Sequence, residues 1–421
     1  MTIPRRRVGA LLAGLGTLTI LLLTLFPSPE QAPYSSRTPL LCLVCGAHGG
    51  ADVVLNTLLF TPMATGLRLL GWPWRRVVAA AALLSFSVEL LQYTVVPGRD
   101  ASLSDLLTNT TGAAMAAAFA PHLESFLLPD PVRARRLMVG GVAFWLGLLT
   151  ISAFAMMPWV PAGMLRSDCT RSEASPELFT GTVRSARLNG VPLPCDAEIP
   201  AGKQVRDALE RGAARLDVVA ASGNPNGRRL FLVIRVPRGY LLVLGHHGRA
   251  ATISTPTAIN HLGFHSPVLS LSRAFPSTPG IPGRIDAGIR DRRMWITSEY
   301  LGQRRGMEMR LSPSQGWTAL LPRGIRPGAE FRLATALWIA LLILPAGYWA
   351  GFARAAVWTL GGIAASLGVG LGALPVLTGY PAVHWSEWVG GAFGVAVGWA
   401  LHRFAAYLQS RCGSPSTSAY S

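Results

Sequence analysis

Ser85-Phe86-Ser87-Val88-Glu89-Leu90-Leu91-Gln92-Tyr93 sets an acid and an amide three residues apart inside an apolar run. After Pro97-Gly98-Arg99-Asp100 comes Ser102-Leu103-Ser104-Asp105-Leu106-Leu107-Thr108-Asn109, with Gly112 just beyond. Each run extends into Ala, Val, Leu and Met for the roughly 20 residues that a helix needs to cross a bilayer core. An acid in such a helix costs roughly 2.5 kcal/mol or more at mid-bilayer, so it faces protein or a wet cavity. The stretch therefore reads as two antiparallel spanning helices with a shared polar seam. Glu89 and Gln92 share one helix face, as do Asp105 and Asn109. Asp52 and Asn56 lie near the same end of the preceding apolar run. Three helices can thus aim polar groups at one outward-opening pocket made of Asn56, Glu89, Gln92, Arg99, Asp105 and Asn109. Ser102 and Asp105 also fit a capping box, and Gln92 and Asn109 fit interhelical hydrogen bonding, so structural roles stand beside the functional one.

The whole composition agrees with a membrane protein. Half of the 421 residues are apolar, only 14% are charged, and the mean hydropathy is +0.37; soluble domains carry roughly a quarter charged residues. Eight segments meet or approach spanning length: 8–26, 52–70, 77–96, 103–121, 137–157, 333–350, 353–373 and 385–407. Arg5 to Arg7, Arg75 and Arg76, Arg133 to Arg136, Arg354, Arg403 and Arg411 all fall on one side under alternate crossing. By the positive-inside rule that side is cytoplasmic and holds both ends of the chain. The first run has the Arg-rich start of a signal peptide, but its length and the lack of a clear small-x-small site favour an uncleaved anchor. The net charge of +17 follows from these flanking arginines and forms no basic stripe interleaved with aromatics, which argues against nucleic acid.

The motif Asn56, Phe60, Pro62, then Ser85, Glu89, Gln92, then Arg99, then Asp105, Asn109 and Gly112 resembles the VanZ-like family of bacterial membrane proteins, over roughly residues 8–120. The resemblance implies a small helical bundle. It also implies a cell-envelope context, since the family takes its name from a member associated with resistance to the glycopeptide teicoplanin. It implies no established molecular activity.

Residues 158–332 form a different region, expected outside the cytoplasm. Charges become frequent, and Gly181–Leu188, Leu216–Ala220, Leu230–Val236, Tyr240–Leu244 and Met294–Thr297 alternate as strands do. Pro237-Arg238-Gly239 and Asn224-Pro225-Asn226-Gly227 are turns. An all-β sandwich follows. Leu230 to Pro267, with Gly245-His246-His247-Gly248, resembles part of a laminin-G or concanavalin-like lectin fold of jelly-roll type, which implies a carbohydrate or cell-wall ligand. No acidic group suits Ca²⁺. Adjacent histidines on a strand point to opposite faces, so no metal is expected from His246, His247, His261 and His265. No sequence motif links Glu299 to Asp286 or Asp291 as a glycosidase pair would require. No cofactor is expected. Cys42 and Cys45, and Cys169 and Cys195, fall outside the cytoplasm, where disulfides can form. Cys42 and Cys45 have only His48 near them as a third zinc ligand.

The expected organisation is a helical bundle (1–121), a fifth span (122–157), the β domain (158–332), three Gly-rich spans (333–407) and a cytoplasmic tail (408–421). The Gly361-Gly362 and Gly390-Gly391 regions allow close helix packing, within the chain or between copies in an oligomer. His384 and Glu387 are expected at the membrane surface. Three functions compete. A non-enzymatic envelope protein would bind a lipid-linked or wall component. An enzyme would use Glu89 as acid or base and Arg99 to hold an anionic group. A transporter would couple protons through Glu89.

Overall fold

The computed structural model describes residues 5–26, 49–96, 101–169, 180–224, 228–237, 239–321, 325–353 and 356–412. Arg99, Cys42, Cys45, His48, Arg354, the Pro225-Asn226-Gly227 turn, Arg238 and the Ser-rich tail lie outside those residues. The chain divides into two compact units: Met1–Trp145 with Ala340–Ser366 and Gly391–Ser421, and Leu146–Ile339 with Leu367–Gly390.

The first unit is helical. Its elements are α1 (Arg5–Leu25), α2 (Gly49–Leu59), α3 (Thr61–Leu69), α4 (Trp74–Thr94), α5 (Leu103–Phe119), α6 (Leu123–Leu127) and the first part of α7 (Pro131–Ala155). Parts of α9 (Ala329–Phe352), α10 (Ala356–Leu367) and α12 (Trp385–Cys412) complete it. Among the described residues, five helices are long and apolar enough to cross a membrane: α1, α4, α7, α9 and the run Trp358–Leu377, which joins α10 through a π-helical turn to α11 (Leu374–Leu377). The other three expected spans are helical but fall short of that standard. The second is broken at Phe60, with Pro62 in the first turn of α3, where its missing N–H costs nothing. The fourth, α5, has 17 residues. The eighth, α12, has 28 residues but carries Glu387, His402 and Arg403 and is not among the five.

Leu11, Leu15, Leu18 and Leu22 of α1 are all more than half exposed. A contiguous apolar face of that kind belongs against lipid. The opposite faces of these helices pack inward around Ile20, Phe60, Val77, Ala81, Val88 and Ala113. Helix starts follow local chemistry. Asp130 precedes Pro131 and accepts the N–H groups of Val132 and Arg133 at 3.0 Å each. Those bonds hold its carboxyl below the usual range.

Gly112 on α5 sits where a Cβ would come within 1.9 Å of the Thr57 carbonyl on α2. The two backbones approach too closely there for any side chain. The Gly-rich α12 is used in a similar way: Gly394 and Gly398 lie on the backbone of α9 at Ala340 and Leu344.

The second unit contains two antiparallel six-stranded sheets. Its strands are β1 (Arg166–Asp168), β2 (Thr182–Leu188), β3 (Val191–Pro192), β4 (Ala197–Glu198), β5 (Ala214–Ala221), β6 (Arg228–Val236), β7 (Gly239–His247), β8 (Ala250–Ser254), β9 (Val268–Leu271), β10 (Pro282–Arg290), β11 (Arg293–Tyr300) and β12 (Gln303–Arg310). One sheet runs β4-β1-β6-β7-β8-β9 and the other β12-β11-β10-β5-β2-β3. Alternation decides which face is inward. Leu216, Val218 and Ala220 of β5, Ile285, Ala287 and Ile289 of β10, and Leu242 and Leu244 of β7 enter one core shared by both sheets. All five strands expected from the sequence are present. The region is not purely β, however. Helix α8 (Gly202–Glu210) buries Val205, Ala208 and Leu209, the three-and-four spacing of an amphipathic helix.

Cys169 and Cys195 form a disulfide that closes a loop of 26 residues. Helix ends join the same unit. Tyr380, before α12, is buried and donates from its hydroxyl to the Ala153 carbonyl at 2.8 Å. Burial pushes that phenol up to about 12, against the opposing pull of Arg292.

Gly112→Val should lower the unfolding midpoint in detergent by the about 1–3 kcal/mol typical of overpacking. Gly140→Ala, on α7 where nothing lies within 4 Å, should leave the midpoint unchanged or raise it slightly. Cys169→Ser with Cys195→Ser should destabilise the β region by about 3 kcal/mol through the restored freedom of the opened loop. Circular dichroism melts of the full chain, with and without reductant, would check the disulfide.

Candidate functional site

Helix α4 offers Ser85, Glu89 and Gln92 at spacings of four and three, so all three side chains leave it on nearly one side. Helix α5 offers Asp105, Asn109 and Gly112 in the same way, and Ser102 is its N-cap. Helix α2 supplies Asn56.

Three bonds join these helices. The Ser102 backbone N–H donates to Glu89 Oε2 at 2.8 Å. Asn56 Nδ2 donates to Asp105 Oδ1 at 2.7 Å. Asn109 Nδ2 donates to Ser85 Oγ at 3.0 Å, with both residues buried. Gln92 turns elsewhere: its Nε2 donates to the Thr24 carbonyl near the end of α1 at 2.8 Å. Asp52 is exposed on α2.

The expected capping box is only half formed. Ser102 Oγ accepts the Asp105 N–H at 3.2 Å, as an N-cap should. The return bond, which would take the Ser102 N–H to Asp105, goes to Glu89 instead. Asp105 is thereby left to face Asn56. The first turn of α5 has unpaired N–H groups and the positive end of the helix dipole. It is a suitable place for an acid from a neighbouring apolar helix to be held.

Two buried acceptors, Gln92 Oε1 and Asn109 Oδ1, have no hydrogen-bond partner among the described residues. Gln92 is 8% exposed and Asn109 3%. Such atoms normally carry a desolvation cost of about 1–3 kcal/mol. In a seam that already holds Glu89 and Asp105, Asn109 Oδ1 adds further acceptor capacity and calls for a donor, while Gln92 belongs to the contact with α1.

Sequence reasoning missed the second ring of contacts. Arg68 donates from Nε to the Ala117 carbonyl at 3.1 Å and from Nη1 to the Trp72 carbonyl at 2.7 Å. Trp74 Nε1 donates to the Ala114 carbonyl at 3.3 Å. Arg68 is a lone cation within an apolar run, which is the signal that could have found it. The Thr24 carbonyl gave no signal, since any residue has one.

Residues 15–124 match the VanZ/LLP1 family model. The match spans α1 to α6, and so contains every described seam residue. The resemblance read from Asn56 through Gly112 is therefore a VanZ-like segment, followed by a β region. No curated protein and no solved structure matches the chain.

In the β region, His246 is buried and His247 exposed, as neighbours on a strand must be. Among the described residues no cluster of three or more His, Cys, Asp or Glu could hold a metal ion. Glu387, expected at the membrane surface, is 4% exposed. It accepts from Ser312 Oγ at 3.2 Å and from the His384 N–H at 3.4 Å.

A double-mutant cycle on the VanZ-like seam checks the pair whose two side chains are both buried. Ser85→Ala and Asn109→Leu should couple by roughly 0.6–1.7 kcal/mol, the range for side-chain bonds between membrane helices. Additive losses in SDS unfolding would mean that the two side chains do not bond.

Proposed function

We propose that this chain is a multi-pass protein of the bacterial cytoplasmic membrane whose VanZ-like segment binds a lipid-linked or cell-wall component in an outward-facing polar recess. In this reading it binds and does not transform its ligand. The β region is an outward surface, jelly-roll and lectin-like, for carbohydrate or wall. The VanZ-like resemblance supports an envelope role, in a context of glycopeptide (teicoplanin) resistance or of wall and exopolysaccharide handling.

The observation that carries the reading is the acceptor-rich seam. Glu89 and Asp105 supply carboxylate oxygens, and Asn109 supplies a buried amide oxygen with no partner among the described residues. Hydroxyls and amines of a glycan or peptide headgroup are the donors that such a group would take, and Arg99 is the candidate for an anionic part of the same ligand. Apolar walls from α1, α4 and α5 would accommodate a lipid tail.

The topology rests on two supports. The arginine-rich loops agree on one cytoplasmic side under eight crossings, with α2–α3, α5 and α12 completing the five longer spans. The Cys169–Cys195 disulfide suits an oxidising compartment for the β region. Gly361 and Gly362 on α10 have open space beside them, which supports packing against a second copy.

The test is expression in a teicoplanin-sensitive bacterium, together with binding of lipid-linked wall precursor to the full chain in nanodiscs. Wild type should raise the inhibitory concentration and retain the precursor, while Glu89→Gln and Arg99→Ala should reduce both. A new product in the mass spectrum of the bound precursor would point to the enzyme instead. Full retention by Glu89→Gln would remove the seam from the account.

A further inference from the structure

The outer face of the sheet β12-β11-β10-β5-β2-β3 carries a built surface that the seam does not explain. Trp295 on β11 lies opposite Gly288 on β10. A Cβ at Gly288 would meet the indole ring at 2.8 Å, so the ring lies down on the strand. Its Nε1 donates to Asp286 Oδ1 at 2.7 Å. Asp286 Oδ2 accepts from Arg215 Nε, also at 2.7 Å. The indole is therefore held flat and fixed on the sheet with part of its surface open to solvent.

Along the same strand, at the level of Glu299, lies a shallow cavity of ≈ 430 Å³ lined by Val219, Gly283, Arg284, Glu299 and Leu301, among others. Four residues separate it from Trp295, roughly 13 Å at a strand rise of about 3.3 Å per residue. Leu301 at its rim is 70% exposed and has φ +53. Leu301 and Gly302 form the two-residue turn between β11 and β12, where positive φ at both positions is what a tight hairpin requires, and that turn holds the leucine side chain in water at the cavity rim. Between cavity and indole, Arg284 pairs with Asp217 through both oxygens. Arg304 on β12 lies across from Glu299, and Arg187 on β2 lies across from Asp217; among the described residues neither makes an ion pair.

We propose that this face, from Trp295 to the cavity at Arg284 and Glu299, binds an acidic oligosaccharide. A flat aromatic ring stacks on the C–H face of a sugar. Fixed Arg and Asp side chains offer planar hydrogen bonds to vicinal hydroxyls. Arg187 and Arg304, without an ion pair among the described residues, match carboxylates spaced along a uronate chain. The inference deepens the reading of the β region as an outward wall-binding surface, and rests on it.

The experiment uses the full chain in nanodiscs and three immobilised probes: oligogalacturonate, neutral dextran and dextran sulfate. Wild type should be retained on oligogalacturonate and not on dextran. Trp295→Ala and Arg304→Ala should each weaken retention by about tenfold, on the scale of one anchor residue. Arg304 bonds to no described side chain, so its substitution separates binding from folding should Trp295→Ala disturb the sheet. Absence of retention on oligogalacturonate overturns the site, as does retention that both variants leave unchanged. Retention that merely follows dextran sulfate, falling equally on both polyanions, overturns it in favour of plain charge attraction. Protease added outside intact spheroplasts tests the outward placement separately: a protected β region sinks that reading whatever the probes show.

Discussion

An acid in a membrane helix must find donors within the protein, and the rest of the VanZ-like segment is arranged around how Glu89 finds one. Its partner is the Ser102 backbone N–H, at the point where α5 begins. Because the partner is the main chain at an N-cap, the bond fixes where α5 starts relative to α4. With that start fixed, helical geometry puts Asp105 toward Asn56, Asn109 toward Ser85, and Gly112 against the Thr57 carbonyl. One local constraint therefore sets the register of three helices. The missing half of the capping box follows from it: Ser102 has one N–H, Glu89 takes it, and Asp105 turns to another helix.

Glu387 is a second solution to the same problem. It too is buried next to a helix start, and it too is met by hydroxyl and main-chain donors, Ser312 Oγ and the His384 N–H. In water a surface arginine would be the ordinary partner. Where water is scarce, hydroxyls and N–H groups already paid for by the fold serve without bringing a second charge that itself needs desolvation. The β region relies on different forces. There the alternation of Leu216, Val218 and Ala220 against Ile285, Ala287 and Ile289 builds the core, and charges meet charges directly, on the solvent face as Arg284 with Asp217 and in a half-buried pair as Arg235 with Asp168.

Much of the candidate site was legible in the chain. Glu89 and Gln92 stand out as polar residues in an apolar run, and the four-residue spacing of Asp105 and Asn109 gives their shared face. Other parts were not. Gln92 leaves the group to bond the Thr24 carbonyl, and no residue type announces a backbone acceptor. The break at Phe60 splits a run whose hydropathy is continuous. Helix α8 is short, and its apolar spacing is hidden among charged residues. Glu387 looked like an interfacial acid because its partner Ser312 is 75 residues away in sequence.

The sequence alone determined that the chain is a helical membrane protein with a β region between its helical parts, because apolar length and strand alternation are local properties that persist in any fold. It also determined which polar residues would be costly in lipid. Only the tertiary structure decided how those costs are met, since a hydrogen bond between Asn56 and Asp105, or between Ser102 and Glu89, depends on register and crossing geometry. The outer sheet face belongs to that second class. Trp295, Gly288, Asp286 and Arg215 are scattered through 81 positions of sequence and become one surface only when antiparallel pairing aligns them.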